Sequence, residues 1–508
     1  MKKLLSEIPK EVYVFSTIYF LFQLIAGLNY PIFRDEFYYL DCARHLSFGY
    51  VDHPAFSVLI LKIWTLIFGD SQLSIRIIPA FLGASLFFIC ALINNEVGGN
   101  RYSLYLALVC IIFIPVNLAN FGYYSMNSWE IIIWTLLFYI LLRIINSSNN
   151  KLWIYFGIIA GVGFNNKVGI IIFLVSVFAA MLISKERVIF KSKYFWSGAA
   201  IIFLSFIPYL LWNIQNDFAT QLFITNAAKY KNADFSFPAF VISQITDFGP
   251  INFILRVTAL ISLLFFFMKK YRMIAFIFLI SFILFSVNKA KPYYLEGLYP
   301  VLITIGSVVV TKFFERKNLS RTQFAIPVVI FLLGLIIIPM VVPVLSPDNF
   351  IAYQNFLGVK PGSSEKHKQG ILPQFYADRF GWEDMTDKVI KAYNSIPENE
   401  KKYTGIFVQN YGEAGAINYY GKKYNLPEVL CGHNNHYIWG KERRDSLITL
   451  IIVGGDYEEN KQIFDEIVQV DTTSNKYSMP YEDNMPIFIA RKPKVNLKEI
   501  WESTKHYN

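Results

Sequence analysis

Long apolar stretches recur along most of this chain, and that recurrence restricts the possible folds more than any other feature. A helix that crosses a bilayer needs about 20 apolar residues. Eleven stretches approach that length, near 11–29, 72–94, 102–119, 127–145, 152–166, 168–184, 195–214, 249–268, 273–288, 295–311 and 324–345. The pair at 152–166 and 168–184 is short and can also be read as one kinked helix. Only 17% of the 508 residues are charged, against 54% hydrophobic, far below the charge of an ordinary soluble domain. The pattern predicts an α-helical polytopic membrane protein. The net charge of +10 then has a simpler cause than a nucleic-acid partner: lysine and arginine collect in loops that stay in the cytoplasm.

Eleven spans place Lys2/Lys3, Arg101, Arg143/Lys151, Lys185–Lys193, Lys269–Arg272 and Lys312–Arg321 on one face. The positive-inside rule makes that face cytoplasmic. The expected location is therefore the inner (cytoplasmic) membrane, with the N-terminus in the cytoplasm. The N-terminal apolar stretch is long for a signal-peptide core and lacks a small-residue cleavage site, so it reads as an uncleaved span. The four cysteines lie far apart and suggest no disulfide framework.

After Leu345 the composition turns polar and rich in turn residues. Residues 1–345 form the expected membrane domain, and 346–508 a small soluble α/β domain on the extracytoplasmic (periplasmic) side. "YTGIFVQNYGEAGAINYYG" reads as strand, turn and helix, "SLITLIIVGGD" and "MPIFIARK" as strands. "GWEDMTDKVIKAYNSIP" reads as an amphipathic helix.

The connection after the first span, "YPIFRDEFYYLDCARHLSFGYVDHP", carries more chemistry than a connector needs. Asp35, Glu36, Asp52 and His53 supply acids and an imidazole suited to general-base work near a membrane surface. A plainer role for Asp35 is to cap a helix. Asp35–Gly49 and Pro54–Asp70 read as interfacial amphipathic helices. Lys289 and Lys291, with Lys167, fall at span ends on the face that the positive-inside rule disfavours; an anionic phosphate explains them, as does snorkelling to lipid headgroups. Lys229 and Lys231 lie in a long outer loop, Gln215–Asp247, of the length expected of a mobile lid. "CGHNNH" places Cys431, His433 and His436 at metal-ligand spacing without a fourth partner. Glycines in "GIIAGVG" suit close helix packing.

The acidic pair after span one, "GYVDHP" and then "RIIPAFLGA", together with "GVGFNNKVG" and "KPYYLEGLYPVL", resembles the GT-C glycosyltransferases of the protein O-mannosyltransferase-like class, whose bacterial members include the lipid A aminoarabinose transferases. "GWEDM", "NYGEAGAINYYG" and "LPEVLCGHNNHYIWG" are similar to the outer domain of those bacterial members. The resemblance implies an enzyme that moves a hexosyl- or pentosyl-type sugar from a polyprenyl-phosphate donor to a lipid, glycan or protein acceptor on the outer face. It implies Asp35 as general base with Glu36 beside it, and Lys167 and Lys291 near the donor phosphate; Lys289, from its place at the same span end, and the aromatic Tyr293 are further candidates for that site. It also implies a second carboxylate after span three, for which Glu130 is the candidate, with Asn127 close by. Asp35 and Glu36 leave a divalent cation, Mg2+ or Mn2+, open, although no complete ligand set is visible. Membrane lipids are the other expected partners. Two other readings compete: a transporter or flippase for a lipid-linked glycan, and a scaffold with a degenerate site. Charges at span ends, and halves that do not look alike, count against a transporter.

Overall fold

A computed structural model of the chain describes residues 8–319, 322–362, 365–440 and 447–508. Lys2, Lys3 and Arg321 lie outside the described residues. The chain divides into two compact units.

The first unit comprises Met1–Asn29, Leu73–Leu210 and Asp234–Val344. It is helical, as apolar sequence in lipid must be, because a helix satisfies every backbone polar group internally. The expectation of about eleven spans meets a difference here. Among the described residues, five helices are long and apolar enough to cross a membrane: Gln72–Glu96, Met126–Ser147, Lys193–Gln215, Lys269–Val287 and Pro292–Arg316. A bent pair, Phe237–Thr246 with Pro250–Phe265, meets at 88° and would make a sixth. Lys10–Gly27 is an 18-residue helix. Arg101–Ile112, Leu152–Asn166, Ile170–Ile183 and Ala325–Val341 are apolar but shorter. Local breaks explain the shortening. Pro115 restarts the chain after Ile112. Lys167 is extended, with φ −155° and ψ 130°, and separates Leu152–Asn166 from Ile170–Ile183, so these are two helices and not one kinked helix.

The glycines of "GIIAGVG" do pack helices closely. A Cβ on Gly157 would lie 2.5 Å from the carbonyl oxygen of Gly198, and one on Gly161 would lie 2.8 Å from Ser205 Oγ. Both neighbours belong to the helix Lys193–Gln215.

The second unit comprises Tyr30–Gln72, Leu211–Ala233 and Leu345–Asn508. A single cut after 345 therefore omits two earlier segments that fold with the C-terminal region. The sheet has five strands, β1 Thr404–Val408, β2 Leu430–Cys431, β3 Thr449–Val453, β4 Phe464–Thr472 and β5 Pro486–Pro493, in the order β2-β1-β3-β5-β4. β1 pairs in parallel with β2 and β3; β5 is antiparallel to β3 and β4. β3 is the central strand and is buried throughout, which is why "TLIIV" is apolar without alternation. The expected helix in "GWEDMTDKVIKAYNSIP" is Trp382–Asn394; it buries Trp382, Met385 and Val389 in the core with Ile406 and Ile451.

The first connection supplies helices at Arg34–Arg44 and Phe56–Phe68, shorter than the expected Asp35–Gly49 and Pro54–Asp70, and the first is buried along most of its length rather than interfacial. Phe37 of the former is fully buried in the same core. Gly415 makes this possible, because a Cβ there would lie 2.7 Å from Phe37 Cβ and 3.0 Å from its carbonyl carbon. Within the expected lid, Ala219–Asn226 and Phe237–Thr246 are helical, and Asn232 forms a β-bridge with Glu365.

Candidate functional site

The candidate residues fall into two clusters, one in each unit. In the second unit, Asp35 opens the helix Arg34–Arg44, where a carboxylate also complements the helix dipole. The capping role belongs to its neighbour. Glu36 is fully buried, and its Oε2 accepts the N–H of Phe33 at 2.9 Å, satisfying the backbone donor of the N-cap residue. Asp35 Oδ1 instead accepts the hydroxyl of Tyr411 at 2.9 Å. Its side chain is 36% exposed, against 20% for Asp52 and 2% for Asp41, so it is the acid of the opening cluster that best meets a ligand.

Asp52 accepts the hydroxyl of Tyr38 at 2.9 Å. His53 is enclosed. Its ring stacks on Tyr39 with centroids 4.9 Å apart, its Nδ1 lies 2.8 Å from the carbonyl oxygen of Pro54, and its Nε2 lies 3.8 Å from Asp52. The tight bridge between Gly49 and Pro54 holds it there. The structure thus gives His53 a loop-forming position rather than an open one.

Residues that sequence reasoning passed over surround Asp35. Arg34 donates to the Tyr481 hydroxyl at 2.8 Å and lies 3.3 Å from Asp378. Its guanidinium sits 5.3 Å from the centre of the Tyr411 ring. Burial pushes the Asp378 carboxyl up to about 7 even though Arg34 opposes the shift. Burial likewise pushes Glu413 up to about 7 and Glu482 well above the usual carboxylate range. Burial, then the neighbouring His506, hold His433 well below the ordinary histidine value. The motif "RDE" was the only local signal for Arg34; its partners come from the distant C-terminal segment.

In the first unit, Lys167 and Glu130 form a buried ion pair, with side chains 8% and 2% exposed. Lys167 Nζ also donates to Asn127 Oδ1 at 2.9 Å and lies 4.4 and 5.3 Å from the ring centres of Tyr294 and Tyr293. Two aromatic faces and a carboxylate fix the side-chain nitrogen of Lys167 in place. Glu296, which sequence reasoning missed, is fully buried and accepts a hydrogen bond from Asn120. Lys291 is half-buried at the start of the 3-10 turn Pro292–Leu298, whereas Lys289 is exposed at a positive φ of 53°. Of the three candidate lysines, the structure brings Lys167 and Tyr293 together.

Among the described residues, no group of three or more His, Cys, Asp and Glu is arranged to hold a metal ion. The Asp35–Glu36 pair does not fit a divalent cation, because Glu36 is turned to the backbone of Phe33. "CGHNNH" is likewise structural: His436 Nε2 lies 3.0 Å from Asp41, and His433 Nε2 lies 2.9 Å from the carbonyl oxygen of Asn508. All four cysteines are buried and free.

Residues 52–212 match the family described as dolichyl-phosphate-mannose-protein mannosyltransferase. The structure is similar to ArnT from Cupriavidus metallidurans in the apo state, with a TM-score of 0.60 and 10% identity over 96% of this chain and 98% of that one. It is equally similar to the same protein bound to undecaprenyl phosphate, with a TM-score of 0.60 and 10% identity over 94% and 97%. A third likeness is to the arabinofuranosyltransferase AftD from Mycobacteria, with a TM-score of 0.52 and 10% identity, covering 96% of this chain and 40% of that one. No curated protein matches the sequence. The fold is that of the GT-C glycosyltransferases, a membrane class, joined to a small C-terminal sheet. The resemblance carried by the motifs holds at that level.

Proposed function

We propose that this protein is a glycosyltransferase that takes a sugar from a polyprenyl-phosphate donor and passes it to an acceptor at the outer face of the inner membrane, with Asp35 as general base. The observation that carries the reading is the contrast among the acids of the opening connection. Glu36 and Asp41 are buried, while Asp35 keeps a carboxylate 36% exposed at a helix start. A carboxylate so placed can accept the proton of an attacking hydroxyl as the glycosidic bond to phosphate breaks. The lipid carrier is supported by the likeness in fold to ArnT solved with undecaprenyl phosphate.

The departing phosphate carries negative charge and needs a fixed cation. Lys167 is the best-held candidate, since Glu130, Asn127 and two tyrosine rings fix its ammonium. Lys291 and Lys289 are further candidates for the same anion. The N-terminus is assigned to the cytoplasm and residues 346–508 to the periplasmic side on the charge pattern of the loops.

The test is Asp35→Asn in membranes supplied with lipid-linked sugar donor. Transfer should be lost with expression and melting unchanged. Full transfer by the variant removes Asp35 from the role. Donor flipping without transfer by the native protein would favour the transporter reading.

A further inference from the structure

Asp35 and Tyr411 are 376 residues apart in sequence, yet the Tyr411 hydroxyl donates to Asp35 Oδ1 at 2.9 Å. We propose that Tyr411 is a positioning residue: the C-terminal segment holds the carboxylate of Asp35 in its working orientation through this one bond. The inference rests on the reading of Asp35 as base, and gives the C-terminal segment a direct part in the reaction.

The geometry supports a rigid arm. Tyr411 is the first residue of the helix Tyr411–Tyr420. Asn410 caps that helix, its Oδ1 accepting the N–H groups of Gly412 at 2.8 Å and Glu413 at 3.1 Å. Glu413 reaches back to the N–H of Gln409 at 2.8 Å and to Asn410 Nδ2 at 2.7 Å. The start of the helix is thereby fixed from both directions. The Tyr411 ring is 7% exposed, with the Tyr38 and His433 rings at centroid distances of 4.9 Å each and the Arg34 guanidinium at 5.3 Å. Ring rotation would not move the hydroxyl off its axis, and the packing stops the ring from swinging.

The other end of the bond is held as firmly. Gly412 admits the Arg34 side chain, since a Cβ there would lie 2.4 Å from Arg34 Cγ. Arg34 in turn ties the first residue of its helix to Asp378 through its guanidinium at 3.3 Å and through its backbone N–H at 3.0 Å. With Oδ1 held by Tyr411, Oδ2 is the carboxylate oxygen left to take a proton. Small errors in the placement of a base cost large factors in rate, so a bond that fixes one oxygen acts on the turnover step rather than on donor affinity.

The experiment compares Tyr411→Phe with native protein and with Asp35→Asn, as full chains in nanodiscs supplied with radiolabelled polyprenyl-phosphate sugars from the source cells. The phenylalanine keeps the ring packing and removes the donor. The expected result is a fall in kcat of roughly ten- to a hundredfold with KM for the donor unchanged. A 3-fluorotyrosine at 411, a stronger donor of nearly the same shape, should restore turnover. Unchanged kcat in Tyr411→Phe, or a fall that 3-fluorotyrosine does not rescue, with Asp35→Asn inactive, would overturn the positioning role alone. Transfer by Asp35→Asn would instead overturn the role of the base.

Discussion

The ammonium of Lys167 rests against the carboxylate of Glu130, with less than a tenth of either side chain exposed. A buried pair of this kind is asymmetric in its energetics. Removing one partner strands the other charge, at a cost of about 3–5 kcal/mol, whereas removing both costs far less. Lys167→Met or Glu130→Leu alone should therefore destabilise the protein strongly, and the double variant should recover most of the loss. Thermal melting of the four proteins in one detergent measures the coupling. Additive losses would mean that the two side chains do not depend on each other.

A second prediction concerns the contact between the helices Arg34–Arg44 and Tyr411–Tyr420. Alanine favours a helix interior over glycine by about 1 kcal/mol. At Gly415, however, the added carbon would press on the backbone carbonyl of Phe37, 3.0 Å from its carbon and 3.2 Å from its oxygen. Backbone cannot yield as a flexible side chain can, so Gly415→Ala should destabilise by about 1–3 kcal/mol. Melting that stays level or rises would show that the helices can separate without cost.

How far these features were legible in sequence depends on whether the signal is local. β3 was readable because a strand buried on both faces is apolar throughout, and Trp382–Asn394 because one face repeats at helical spacing. β4 was not, since "FDEIVQVDT" at the sheet edge mixes charges into its alternation. Asp35 stood out in "RDEF", but nothing near it announced that Glu36 and not Asp35 takes the backbone N–H at the helix start. Glu130 and Lys167 were each noticed, for separate jobs; 37 residues of chain hid that they share one bond. Glu296 was missed because an acid inside "YYLEGLYP" looks like the edge of a span until burial shows otherwise.

The buried carboxyls of the second unit predict how its stability follows pH. Asp378 and Glu413 are raised from ordinary carboxylate values to about 7, and Glu482 is raised well above its own. A group raised in the folded state binds more protons folded than unfolded between its two values. Its contribution to stability is complete at about pH 4 and is lost as pH rises through its folded value, at up to about 1.4 kcal/mol per pH unit for each group. The melting temperature of this unit should fall from pH 5 to pH 8. Neither carboxyl oxygen of Glu482 has a hydrogen-bond partner among the described residues, so Glu482→Gln imitates its protonated form and should flatten the decline. A melting temperature that rises with pH, or an equal slope in the variant, would contradict the assignment.

The helix Phe56–Phe68 carries the last prediction. Leu59, Ile63, Leu66 and Ile67 are 42%, 49%, 73% and 68% exposed and recur at helical spacing, a row of large apolar side chains on one face that water would not favour at a free surface. An amphipathic helix lying in the headgroup boundary turns such a row toward the acyl chains. The chemistry for a direct test is already present, because Cys42, Cys90, Cys110 and Cys431 are all buried and should not react with a polar thiol reagent in the folded protein. Leu66→Cys, labelled with a polarity-sensitive dye in lipid nanodiscs, should emit at shorter wavelength than the same dye at Glu398→Cys, an 88% exposed side chain of the second unit. Brominated acyl chains should quench the first dye and leave the second unchanged. Matching emission at the two positions, with no quenching at either, would place Phe56–Phe68 in water and require some other cover for its apolar row.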